Sequence, residues 1–137
     1  MATQIISNPA RVHEFVSRYG GAAPLAAGMK GIGLEREGEL VAGVIYEGFT
    51  GANVWMHVAA VPGRRWMNRE FLRYAFSYPF DEMKVQRVSG WVEADNADAL
   101  RFDKHLGFRQ EAVLRGAGRG GVDAIILVMT RKECRYV

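Results

Sequence analysis

Apolar and polar positions along this chain recur at two periods, and each change of period marks an element. Val12, Phe15, Val16 and Tyr19 follow helical spacing, with Asn8 as a cap, Pro9 at the first helical position and Gly20-Gly21 beyond. Three strand-like runs come next, over about 30–36, 39–47 and 53–61, with Glu37-Gly38 as a tight turn between the first two. The third run is nearly all apolar, which predicts a strand buried on both faces. Pro62-Gly63 breaks it. A helix then runs to Tyr78 with Met67, Phe71, Tyr74, Ala75 and Tyr78 as its buried stripe, and Pro79 ends it. A strand from Val85 to Glu93 leads into a helix after Asn96. Two strands follow, about 108–115 and 122–130, around the glycine-rich turn Gly116 to Gly121.

The predicted order is α, β, β, β, α, β, α, β, β, a meander followed by βαβαβ. It implies an α/β fold with a mixed, mostly antiparallel central sheet and helices on both faces. At 137 residues and 49% hydrophobic, residues 1–137 fit one domain with enough apolar material for a core.

Charge and cysteine usage narrow the chemistry. Lys+Arg 18 against Asp+Glu 15 leaves +3, which suits an anionic small ligand but lacks the dense basic stripe of a nucleic-acid binder. The single cysteine, Cys134, excludes an internal disulfide framework and fits a reducing compartment. No apolar run reaches the length of a membrane span, and no basic-then-apolar leader opens the sequence. A soluble, cytoplasmic chain with no membrane partner is expected. His13, His57, His105 and Cys134 show no metal-ligand spacing, so no metal is expected.

The densest signal is Asn96 to Phe108. Asp95 and Asn96 supply cap chemistry, Ala99, Phe102 and Leu106 share one face, and Gly107 sits where a left-handed stop is needed. The pattern Asn-x-x-Ala/Ser, then six or seven residues, then Leu-Gly-Phe resembles the cofactor-binding helix of the GNAT superfamily, the acetyl-CoA-dependent N-acyltransferases. The element order resembles theirs too, shortened by one helix on the N-terminal side, over about residues 28–133. Tyr74-Ala75-Phe76, Leu106-Gly107-Phe108, Glu111-x-x-Leu114-Arg115 and the stretch Met129 to Arg135 resemble the branch that acetylates protein N-termini and ribosomal proteins. Small members of that type occur in phage and prophage genomes.

The resemblance implies transfer of acetyl from acetyl-CoA, as co-substrate, to a primary amine by direct attack in a ternary complex. It places the cofactor phosphates at the start of the middle helix, in Val61-Pro62-Gly63-Arg64-Arg65-Trp66-Met67-Asn68-Arg69. Here the chain departs from the superfamily's Arg/Gln-x-x-Gly-x-Gly/Ala, and Gly63 is the only glycine available. Arg64, Arg65 and Asn68 cluster at a helix N-terminus, a placement that opposes the helix dipole unless an anion sits there. A solvated basic face continuing through Arg69 and Arg73 is the other reading. Backbone N–H groups near Ala59 to Val61 are implied partners of the thioester carbonyl. Asn96 is implied to meet the cofactor arm where two neighbouring strands splay, against a plain N-cap. Beside it, Phe102 reads as cofactor contact or core, and Lys104 as a 3′-phosphate ligand or a free surface lysine.

Acetyl transfer also needs a base for the ammonium and an acid for the departing thiolate. The superfamily often uses a tyrosine seven residues after the Asn; here that position is Asp103. An aspartate donates there only if burial raises its pKa strongly, and a solvated or ion-paired Asp is the alternative. His57 is the leading base candidate, on the alternation face of Asn53, Trp55 and Ala59, against a structural histidine. Glu47 and Glu93 come next, acting through water. The expected hairpin sets Glu47 near Asn53 and Gly43 near His57. Tyr46, Phe49, Trp55 and Trp91 are candidates for an acceptor pocket or for core. The acceptor itself stays open: a peptide N-terminus, a lysine, a polyamine, an aminoglycoside or a modified nucleobase. Two other classes remain, a catalytically degenerate binding domain of the same fold and a nucleic-acid-binding accessory protein using Arg64, Arg65, Arg69 and Arg73. The modest net charge argues against the latter. The apolar stretch Ile125 to Met129 offers an edge for homodimer pairing.

Overall fold

Asn8 caps the first helix as its position predicts: its Oδ1 accepts from Arg11 N–H at 3.1 Å, and its carbonyl accepts from Val12 N–H at 2.9 Å. In the computed structural model, which describes residues 3–19, 27–62 and 68–137, this helix is α1, Pro9–Tyr19. The strands are β1 (Thr3–Ile6), β2 (Lys30–Arg36), β3 (Glu39–Glu47), β4 (Asn53–Ala60), β5 (Arg87–Glu93), β6 (Arg109–Leu114) and β7 (Ala124–Thr130). Helices α2 (Arg69–Ser77) and α3 (Ala97–Leu106) lie between β4 and β5 and between β5 and β6. All seven strands form one sheet in the order β1-β2-β3-β4-β5-β7-β6, antiparallel except for the β4–β5 pair. The predicted mixed, mostly antiparallel sheet is what forms.

Helices cover both faces. On one, α1 lies over β2, β3 and β4, burying Val12, Phe15 and Val16 against Ile45 and Ala59. Glycines permit this approach: a Cβ on Gly31 would stand 3.1 Å from Pro9 Cα, and one on Gly43 3.1 Å from Val12 Cγ1. On the other face, Phe71, Leu72, Ala75 and Phe76 of α2 and Leu106 of α3 join Ile32, Val44, Met56, Val88, Leu127 and Met129 in the larger core. No helix among the described residues is long and apolar enough to cross a membrane.

Several expectations are corrected. β1 was not foreseen: it has four residues, half of them exposed, and forms an edge beside β2. β4 is sealed on only one face. Val54 and Met56 are buried, while Asn53, Trp55 and His57 stay half-open where the cover of α1 gives out. In α2 the inward face carries Leu72 and Phe76, and Tyr74 turns outward at 47% exposure; Met67 lies outside the described residues. Pro79 does not stop the chain's winding. It sits at the start of a wider turn over Tyr78–Glu82, closed by Met83 N–H to Tyr78 O at 3.0 Å. The stretch Ile125 to Met129 is interior, paired on one side with β5 and on the other with β6, so it offers no free edge.

Candidate functional site

The β3–β4 hairpin sets Glu47 opposite Trp55, Ile45 opposite His57 and Gly43 opposite Ala59, two residues away from the expected register. Thr50 is the cause. Its Oγ1 accepts from Ala52 N–H and Asn53 N–H at 3.3 and 3.1 Å, building a local turn that withdraws the first residues of β4 from β3. The shift makes Glu47 and His57 diagonal neighbours on one face. His57 Nε2 stands 2.5 Å from Glu47 Oε2, with the side chains 15% and 22% exposed. That oxygen is buried, is not aligned with the imidazole as a hydrogen bond, and has no other hydrogen-bond partner. The pair therefore holds a buried carboxylate oxygen with spare accepting capacity beside a half-buried imidazole.

Beside this pair the sheet opens. β4 and β5 pair only through Asn53–Arg87, Val54–Val88 and Trp55–Ser89, although β4 continues to Ala60 and β5 to Glu93. Past the third rung the two strands diverge, leaving their facing backbone groups without a ladder partner. An extended ligand arm carrying amide groups fits such an opening. Ala59 lies on this stretch. Val61 N–H does not remain free for a thioester carbonyl, because it already donates to Val41 O at 3.0 Å.

Four polar side chains close the narrow end of the opening. Glu111 receives both guanidinium Nη atoms of Arg87 at 2.9 and 2.6 Å, Arg87 Nη2 donates to Ser89 Oγ at 3.1 Å, and Ser89 Oγ donates to Asn53 Oδ1 at 2.5 Å. Glu111 takes part because β6 bulges between Gln110 and Ala112, which re-aims its side chain. Sequence reasoning missed Arg87, Ser89 and Glu111 as site residues; the available signal was a serine inside the apolar run Val88 to Val92. On the same face, Trp55 and Trp91 meet edge to face with ring centroids 6.5 Å apart, and Trp91 Nε1 donates to Glu93 Oε2 at 2.9 Å. Of the other aromatics, Tyr46 is core on the opposite face and Phe49 is 54% exposed.

The end of β5 leads to Asn96, which caps α3: its Oδ1 accepts from Ala99 N–H at 3.1 Å. Phe102 packs half-buried on the larger core, and Lys104 is exposed. Gly107, at φ 122°, closes α3 with a Schellman pair: Phe108 N–H to Asp103 O at 3.1 Å and Gly107 N–H to Lys104 O at 3.1 Å. Asp103 is half-buried, and no described donor reaches its carboxylate. Withdrawal from water pushes its pKa up to about 7. Asn68 caps α2, its Oδ1 accepting from Phe71 N–H at 2.6 Å. Gly63, Arg64, Arg65, Trp66 and Met67, the expected phosphate contacts, lie outside the described residues.

A shallow hollow of about 830 Å³, lined by residues that include Phe80, Asp81, Lys84, Thr130 and Arg131, lies at the opposite end of β4 and β5. Arg131 there is tied to Phe80 O and to Asp81, at 2.7 Å each. The titratable pair and the strand opening are elsewhere, and we place the site with them.

No protein-family profile matches the chain, and no curated protein matches it by sequence. Solved structures do match in shape. A mutant form of the spermidine/spermine N-acetyltransferase SpeG from Vibrio cholerae superposes with a TM-score of 0.74 over 96% of each chain, at 11% identity. An acetyltransferase of the GNAT family from Bacillus anthracis gives 0.62 at 18% identity, over 77% of this chain and 67% of its own. A protein described as a putative acetyltransferase gives 0.72 at 17% identity, over 94% and 87%. The chain therefore has the fold of the GNAT acetyltransferases.

Proposed function

We propose that this protein transfers acetyl from acetyl-CoA to a primary amine on a cationic acceptor, by direct attack. The observation that carries the reading is the β4/β5 opening with the Glu47–His57 pair beside it. The co-substrate supplies a thioester, whose acyl carbon takes the amine and whose sulfur leaves.

The unpaired edges of β4 and β5 hold the extended arm, with Ala59 on one wall and Asn96 beyond the end of the other. Arg64 and Arg65 meet the phosphates, helped by Lys104. The acceptor ammonium docks beside the part-exposed Glu47 carboxylate and the faces of Trp55 and Trp91, which favour a cation electrostatically. The His57 imidazole takes its proton, and Glu47, beside Nε2, stabilises the resulting imidazolium. Asp103 is about half protonated at pH 7, since its pKa is about 7. Its proton goes to the departing thiolate as the C–N bond forms and the C–S bond breaks; the acylated nitrogen then loses its extra proton to water, and Asp103 is reprotonated from solvent.

Polyamines are the first acceptors to try, because the neighbours in fold include spermidine/spermine N-acetyltransferases. A peptide amine is the second, from the sequence resemblance to the branch acting on protein N-termini. Calorimetric titration of acetyl-CoA, with the Arg64→Ala/Arg65→Ala variant alongside, tests the reading, and mass spectrometry of spermidine or a peptide incubated with both tests turnover. Saturable one-to-one binding that weakens in the variant, with a gain of one acetyl on the acceptor, is expected. Absence of saturable binding by the unaltered chain overturns the proposal.

A further inference from the structure

We propose that the side-chain relay Glu111–Arg87–Ser89–Asn53 is the pin that sets the width of the β4/β5 opening, and so positions acetyl-CoA without touching its reacting atoms. The inference rests on the proposed function. Ser89, at 2% exposure, is the one buried polar residue among those described. A hydroxyl persists at such a position only where it is partnered, and Ser89 uses its oxygen both to donate and to accept. Its location is the argument. Trp55–Ser89 is the last rung of the β4–β5 ladder, and Asn53–Arg87 is the first. The relay therefore spans the whole of the short pairing and ends where the strands part.

Parallel pairing over three rungs is a weak hold on two strands that diverge. The Ser89–Asn53 bond ties them across the vertex by side chains. Behind it, Arg87 reaches past β7 to Glu111 on β6, anchoring the vertex to the far edge of the sheet. The bulge in β6 is what lets Glu111 meet Arg87, so an irregularity at the sheet edge serves a point two strands away. A side chain without a hydroxyl at Ser89 could not tie β5 to β4.

The test compares acetyl-CoA affinity by calorimetry, and KM for each substrate by steady-state kinetics, in the unaltered chain and in Ser89→Ala, Asn53→Leu, Asn53→Asp and Glu111→Ala. Thermal melting monitors the fold. Ser89→Ala and Asn53→Leu are expected to weaken acetyl-CoA roughly tenfold, because strand edges at the wrong spacing lose about one well-made hydrogen bond to the arm. Acceptor KM stays within about twofold in the same variants, since the relay shares that face but makes none of the contacts proposed for the acceptor, which go to Glu47, Trp55 and Trp91. Asn53→Asp keeps the accepting oxygen and retains affinity. Unchanged acetyl-CoA affinity in Ser89→Ala and Asn53→Leu, with the unaltered chain binding normally, overturns the inference alone. Failure of the unaltered chain to bind overturns the proposed function itself. Should Ser89→Ala not fold, Glu111→Ala, on a half-exposed residue, decides by the same readout.

Discussion

The Tyr46 hydroxyl on β3 donates to the carbonyl of Ala75 on α2 at 2.5 Å, the carbonyl that Pro79 is unable to serve. In an uninterrupted helix the N–H four residues on would take that bond, and proline has none. The chain loosens into the wider turn after Ser77, and a buried phenol from the sheet fills the vacancy. Tyr46→Phe keeps the ring and its edge contact with Tyr78 but strands a buried carbonyl. A loss of about 1–3 kcal/mol in urea unfolding is expected, with the denaturant slope unchanged.

Asp103 gives a pH dependence with a defined sign. Its folded pKa, about 7, lies above the ordinary 3.8, so between those values the folded chain holds a proton that the unfolded chain has lost. Stability on this account falls as pH rises through that window and is flat above it. Asp103→Asn removes the burial of a charge, so it should melt higher than the unaltered chain at pH 8 and match it near pH 4. Equal differences at both pH values would contradict the desolvated carboxylate.

Glu47 and His57 act as one unit in the proposed reaction. Glu47→Gln and His57→Gln should each lower kcat by about 10²–10⁴, with acetyl-CoA affinity unchanged. The double variant should be little worse than either single one, because groups that serve a single proton transfer do not add. Rates of acetyl transfer measured at saturating acetyl-CoA check this, and multiplicative losses would separate the two residues.

Residues 135–137 strap α3. Arg135 donates to His105 O, Tyr136 Oη donates to Leu106 O at 2.8 Å, and the Tyr136 ring stacks on Phe76 at 4.9 Å. These bonds satisfy carbonyls at the C-terminal end of α3. Ending the chain after Cys134 should cost about 2–3 kcal/mol, from two hydrogen bonds and one ring pair. Amide exchange should speed up at 103–108 ahead of the rest of the sheet.

What the sequence revealed was whatever is encoded locally. Asn8-Pro9 and Asn96 cap as read, Gly107 takes the left-handed stop, and Glu37-Gly38 turns with φ of 52° and 83°. These are short-range decisions between a side chain and its own backbone. The β3–β4 register was not legible, because it depends on how Thr50 folds the connecting loop, and two residues of slip keep every side chain on the same face. The polarity pattern therefore looks equally good in either register, yet only one of them brings Glu47 to His57. The bulge that recruits Glu111 was hidden for the same reason: its effect lies in β5, two strands away in the sheet. The burial that raises the pKa of Asp103 was not legible either, because it needed the packed α3 to appear.

The strand order also fixes a sequence of events when the protein is made. β6 pairs with β7 alone, and β7 is synthesised after it, so β6 has no partner of its own until β7 slots in between it and β5. β5 thus stays open on one side while the stretch from its own end to β7 is synthesised, with its apolar residues exposed to whatever is nearby. Assembly must wait for these long-range pairings, which are the slowest kind to form. For this chain the interval before β7 emerges is when misassociation threatens most.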